Sequence, residues 1–102
     1  MFKKVLKPRD VVGITFHNGS LEKELARIVS CQTTEDSPGW TAILSIEGEQ
    51  EDRVEGRGII EAEAIENAIV VAMRSNNFAT GKIGDRTFTE TEATSEYIVI
   101  VQ

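Results

Sequence analysis

Residues 60–77 read IEAEAIENAIVVAMRSNN, and the architecture turns on how they fold. Ala64/Ile65, Ala68/Ile69 and Ala72/Met73 recur every four residues, which draws an apolar stripe down one face of a helix. Glu61, Glu63 and Glu66 fall near its start, where carboxylates interact favourably with the helix dipole. Arg74 falls in the last turn, and Asn76-Asn77 can close the helix. The many alanines predict close packing of this helix on a sheet.

Working outward, residues 40–46 (WTAILSI) alternate, so Trp40, Ala42, Leu44 and Ile46 share one strand face toward the core. Ser37-Pro38-Gly39 marks the turn before that strand. Residues 47–58 are polar and charged, with Val54 their only strongly apolar member. They form either a strand on the solvent edge or a mobile loop followed by a strand. Further upstream, residues 11–17 (VVGITFH) put Val12, Ile14 and Phe16 on one strand face, and Asn18-Gly19 suits a tight type I′ turn. Residues 20–32 fit a helix through Leu21, Leu25, Ile28 and Val29, or a strand through Leu21, Leu25, Val29 and Cys31. The Asn-Gly turn favours the strand. Downstream, Lys82–Thr89 and Glu96–Gln102 read as two more strands, the second apolar on both faces and therefore central. The expected fold is α+β: an antiparallel or mixed sheet of about five to six strands on one main helix, in a single domain spanning residues 1–102.

The chain has 102 residues, enough for one modest core, and 40% hydrophobic and 27% charged residues, ordinary for a folded domain. One cysteine, Cys31, cannot form an internal disulfide. No apolar run reaches the length of a membrane span, and the basic start MFKKVLKPRD lacks a signal peptide's apolar core. A cytoplasmic location is the expectation.

The net charge of −6 is concentrated. Residues 47–66 hold eight acids (Glu47, Glu49, Glu51, Asp52, Glu55, Glu61, Glu63, Glu66) and two bases (Arg53, Arg57), while the remaining residues hold nine of each. Such a field repels nucleic acid and attracts basic protein surfaces. It also serves simply as a solvated face that keeps a domain soluble.

Patterns for catalysis are sparse. His17 sits beside the Asn-Gly turn and is expected to be exposed. If Asn18-Gly19 makes a two-residue hairpin, Cys31 lies far up the ladder from His17, too far for a nucleophile–base pair. One His and one Cys offer no zinc spacing. Gly56-Arg57-Gly58 lacks the rest of a Walker or dinucleotide pattern and reads as a turn or bulge before the helix. The glutamates match no EF-hand loop and read as a solvated row, so no metal or other cofactor is expected. Lys3, Lys4, Lys7 and Arg9 form a basic N-terminal arm, expected to fray, with no aromatic set for base stacking beyond Phe2. Trp40 reads as core or core-edge.

Gly39-Trp40, Ile46-Glu47-Gly48, Gly58 and Ala64 through Ala72 resemble a pattern in small uncharacterised bacterial domains, in which a tryptophan opens a strand ending in I-x-G and an alanine-rich helix follows a glycine. The resemblance covers about a third of the chain; Ile59-Ile60 stand where that pattern often has a polar cap. In size, acidity and lack of catalytic residues the chain is also similar to immunity proteins of bacterial toxin systems, including contact-dependent growth inhibition, and to phage-encoded inhibitors such as anti-CRISPR proteins. Those resemblances imply a cytoplasmic inhibitor that docks on a cationic enzyme.

The leading expectation is a non-enzymatic binding protein that neutralises a nuclease-type toxin, its acidic segment occupying the basic cleft of the partner. Glu47, Glu49, Glu51, Asp52, Glu55, Glu61 and Glu63 are its candidate contact residues. No direct contact with nucleic acid or a membrane is expected. The alternatives are a phage-encoded inhibitor such as an anti-CRISPR protein, or a self-associating structural subunit whose sheet edges or helix face build a homo-oligomer, suggested by the two-sided C-terminal strand.

Overall fold

The computed structural model describes residues 2–3, 6–19, 23–48, 51–90 and 99–100. Its elements, in chain order, are β1 (Phe2–Lys3), α1 (Pro8–Val11), β2 (Thr15–His17), β3 (Ala26–Asp36) and β4 (Gly39–Gly48). There follow β5 (Asp52–Gly58), α2 (Glu61–Asn76), β6 (Thr80–Ile83), β7 (Arg86–Phe88) and β8 (Val99–Ile100). Six strands form one sheet in the order β5-β4-β3-β2-β6-β7, and every neighbouring pair is antiparallel. The fold is α+β, as its sequence pattern implies.

Alternation sets which face of each strand is buried. Ala42, Leu44 and Ile46 of β4 point inward, with Trp40 half-buried at the end of the same row. They meet Ile28 and Cys31 of β3 across the ladder, through the pairs Ile28↔Ile46 and Cys31↔Leu44. A bulge between Ile28 and Ser30 lets both β3 residues face the same side although three positions separate them. On β5, Val54, Gly56 and Gly58 share the inward parity.

Helix α2 covers this face, burying Ala64, Ile65, Ala68, Ile69, Ala72 and Met73. Each large aliphatic side chain so buried contributes about 1.5–3 kcal/mol relative to exposure. The helix sits unusually close to β5. A Cβ added to Gly56 would lie 2.2 Å from the Ala68 nitrogen and 2.5 Å from the Ala64 oxygen. One on Gly58 would lie 2.6 Å from the Ala64 nitrogen. Backbone therefore packs on backbone, and alanines on one side with glycines on the other make that approach possible.

The helix ends as its sequence suggests. Asn77 adopts the left-handed conformation (φ 55°, ψ 39°). Its N–H donates to the Arg74 carbonyl, and the Phe78 N–H donates to the Met73 carbonyl, a Schellman closure. Phe78 then stacks on Phe16 of β2, with ring centroids 4.9 Å apart.

Several sequence expectations need correction. Residues 11–17 are not one strand: Pro8 opens α1, Gly13 (φ 97°) breaks the chain direction, and only Thr15–His17 is ladder. Val11 is buried, whereas Val12 is 48% exposed. Asn18-Gly19 does not make a two-residue hairpin, because β2 pairs with β3 as Phe16↔Ala26, leaving a wider connection. Strand β3 resolves the helix–strand ambiguity of residues 20–32 in favour of strand from Ala26 onward. Residues 82–89 are not one strand but parts of the β6–β7 hairpin, turned at Gly84 (φ 60°) and Asp85. Residues 99–100 are not central: they pair with Phe2–Lys3 in a separate two-stranded sheet. The rest of the expected strand over 96–102 lies outside the described residues. The N-terminal arm is anchored from Leu6, which is 1% exposed. Gly56 and Gly58 make no turn or bulge; they lie in unbroken register from Trp40↔Gly58 to Ile46↔Asp52.

Candidate functional site

The acidic segment is drawn out along β5 and divided. Asp52 to Gly58 spans about 20 Å at about 3.3 Å per residue, and the carboxylates collect at its two ends. At the end nearest the helix C-terminus, Glu47, Glu51, Asp52 and Arg53 line an open cleft of about 490 Å³ with Val29, Ser45 and Ile46. Glu47 and Glu51 are exposed. Asp52 is engaged locally, accepting from the Arg53 N–H at 2.8 Å and from the Asn76 side chain at 3.1 Å. Glu49 lies outside the described residues.

At the opposite end, Glu61 and Glu63 stand in the first turn of α2. Glu61 accepts from the Thr33 hydroxyl at 2.7 Å, and Glu63 accepts from the Ile59 N–H at 3.2 Å. Glu55 belongs to neither cluster. It lies on the outer face of the sheet, paired with Arg57 at 3.2 Å. Both side chains are well exposed, so this pair contributes little to stability. Glu66 is buried in α2, 3% exposed. The expected single acidic patch is thus two clusters and one outlying ion pair.

A second cleft, of about 410 Å³, opens beside Glu63. Trp40, Pro38 and Ile59 supply its apolar wall, and Asp36, Arg57 and Glu63 its charged rim. Ile59 is 75% exposed, and Ile60, the residue that caps α2, is 42% exposed. The register Glu35↔Trp40 sets Glu35 beside the indole on the same face. Thr41 donates to Asp36 at 2.7 Å and holds that carboxylate at the rim. Sequence reasoning passed over this site. Its signal is that Ile59 matches neither the inward parity of β5 (Val54, Gly56, Gly58) nor the helix stripe.

Side chains engage part of the outer edge of β5 and of the residue that follows it. Neighbouring residues of a strand point their backbone groups to opposite sides, and odd-numbered residues of β5 face away from β4. Two of those outward groups are taken by side chains, the Arg53 N–H by Asp52 and the Arg57 carbonyl by Asn67 at 2.6 Å, and just past the strand the Ile59 N–H is taken by Glu63.

His17 and Cys31 do not form a catalytic pair. His17 is buried, not exposed as expected, with its ring between Thr15 and the Lys23 carbonyl. Its Nδ1 donates to the Lys23 carbonyl at 2.7 Å, and its Nε2 is hydrogen-bonded to the Thr15 hydroxyl at 2.9 Å. Cys31 lies roughly 17 Å along the ladder at about 3.3 Å per residue. Burial pushes its thiol up to about 11, and the Glu61 charge adds to the shift. Among the described residues no group of three or more His, Cys, Asp or Glu side chains is placed to hold a metal ion. No helix among them is long and apolar enough to cross a membrane. Compared with protein-family models, curated proteins and solved structures, the chain matches none of the three.

Proposed function

We propose that this chain is a non-catalytic inhibitor that docks on a basic surface of a partner protein, the leading case being immunity to a nuclease-type toxin. The observation that carries the reading is the cleft rimmed by Glu47, Glu51 and Asp52. Three carboxylates against one arginine give a local charge of −2 in an open concavity, sized for the lysine and arginine side chains that line phosphate-binding clefts. A thiol held protonated and a histidine committed to its own backbone support a role without nucleophilic chemistry. A net charge of −6 speaks for a partner of different composition over a self-assembling subunit.

The test is capture of partners from the native host with the intact chain, washed at low salt and then at about 1 M, where the Debye length falls to about 3 Å. A basic nuclease or toxin domain should elute with salt, and the triple variant E47Q/E51Q/D52N should fail to capture it. Capture that survives both the salt and the triple variant would overturn the reading, as would recovery of the chain alone.

A further inference from the structure

Of the exposed large hydrophobic residues, Val12, Val29 and Val71 are scattered singly, but Ile59 and Ile60 stand together beside the half-buried Trp40. The cleft lined by Trp40 and Ile59 is fixed by its neighbours. Trp40 is held in the β4 ladder opposite Gly58, Ile59 is tied by its N–H to Glu63, and Arg57 is held by Asn67 through its carbonyl. Preformed concavities with an aromatic wall and a polar rim are where binding energy concentrates in protein interfaces.

Charge selects the occupant. Asp36 and Glu63 line the cleft, Glu35 stands beside the indole across the ladder, and Arg57, the one cation among the described lining residues, is paired with Glu55, so the surroundings are net negative. A second copy of this chain would bring the same acids to the same place, so self-docking is opposed by like charge. We propose that the Trp40–Ile59 cleft is an anchor site for a polypeptide segment of a partner in which one large aliphatic side chain is flanked by lysine or arginine. The aliphatic group lies against Trp40 and Ile59, and the flanking cations face Glu35 and Glu63. The inference rests on the reading of the chain as a protein-binding inhibitor, but it places the anchor about 20 Å from the Glu47–Asp52 cluster, at the far end of β5.

Trp40 is the only tryptophan in the chain, so its emission reports this cleft directly. The probe is the N-acetylated, C-amidated pentapeptide Gly-Lys-Leu-Arg-Gly, titrated to about 5 mM because a single anchored side chain gives only weak affinity. Gly-Glu-Leu-Glu-Gly and Gly-Lys-Gly-Arg-Gly are the comparison peptides. The basic leucine peptide should shift the emission saturably. The acidic and the leucine-free peptides should bind at least about tenfold more weakly, since each lacks one of the two contacts. I59S should abolish the saturable shift, and E35Q should weaken it and reduce its salt dependence. E47Q/E51Q/D52N should leave it unchanged. A response that is absent, equal for the acidic peptide, or unaffected by I59S would overturn the inference. A peptide-free shift that grows with protein concentration and vanishes in I59S would assign the cleft to a second copy and overturn it too. Loss of the natural partner in the triple acidic variant, with no effect of I59S, would leave the proposed function standing and remove this anchor alone.

Discussion

Gly56→Ala tests the packing on which both clefts depend. The added methyl would lie 2.2 Å from the Ala68 nitrogen, 2.5 Å from the Ala64 oxygen and 2.6 Å from the Ala68 Cα. All three are helix backbone atoms, so no rotamer change relieves the contact. Ordinary van der Waals contact begins near 3.4 Å, so α2 must withdraw from β5 by about 1.2 Å. That withdrawal also loosens Ala64, Ala68 and Ala72, which are all fully buried. Overpacking of a close-packed core costs about 1–3 kcal/mol, and this backbone-bound case belongs at the upper end, about 3 kcal/mol. For a domain of this size that lowers the melting temperature by about 12 °C or more. Urea denaturation followed by Trp40 emission and by far-ultraviolet circular dichroism measures the loss. Gly84→Ala is the control. Its site has nothing within 4 Å but a φ of 60°, so it reports only left-handed strain of about 1–2 kcal/mol. If Gly56→Ala destabilises no more than Gly84→Ala, the account of α2 seated directly on the β5 backbone is wrong.

Other consequences follow from single contacts. Asn77→Ala should cost about 1 kcal/mol because alanine resists the left-handed closure, whereas Asn77→Gly should be neutral or slightly stabilising; thermal melts distinguish them. Cys31 should react slowly with iodoacetamide at pH 8 and faster as pH rises toward about 11, and Glu61→Gln should move that profile to lower pH. Because the folded thiol titrates above its ordinary value of 9.0, the unfolded chain loses its proton first. The stability contributed by the buried thiol is therefore complete below about pH 9 and declines between about pH 9 and about 11. Asn67→Ala should cost about 0.5–1.5 kcal/mol and free the Arg57 carbonyl. Sedimentation at high concentration should then show more self-association than the wild-type chain does.

The helix was legible in the sequence to within one residue at each end because three independent signals coincide there: the stripe through Ala64, Ala68 and Ala72, the acids at its start, and the asparagine that closes it. Strand β4 was legible from Ala42, Leu44 and Ile46 alone. What failed was punctuation. Gly13 and Gly84 both adopt positive φ and both sit inside runs whose apolar content reads as continuous strand. Periodicity counts side chains on a face but is blind to a backbone reversal that keeps the count intact. The acidic segment was legible in amount and not in place. A run of charge carries no information about which residues fall in a strand, at its ends or in a helix cap. Here the run crosses β4, β5 and α2 within twenty residues.

That dispersal changes how the charge can act. Asp52, Glu61 and Glu63 already accept hydrogen bonds from their own chain, so in the proposed docking their charge would reach a partner while their geometry is committed to the fold. A committed carboxylate still contributes to the long-range field that speeds encounter, and contributes less to the contacts that hold a complex together. In the proposed docking, contact energy comes from the exposed Glu47 and Glu51 and from the apolar wall of Trp40 and Ile59. The two classes of residue should therefore separate kinetically once a partner is in hand. Neutralising Glu47 and Glu51 should slow association and flatten its dependence on salt more than it speeds dissociation. Ile59→Ser should speed dissociation and leave the association rate and its salt dependence intact. Stopped-flow association and surface-bound dissociation measure the two rates independently. If both variants act on the same rate, charge and anchor are one surface, and the division of the acidic segment along β5 has no functional meaning.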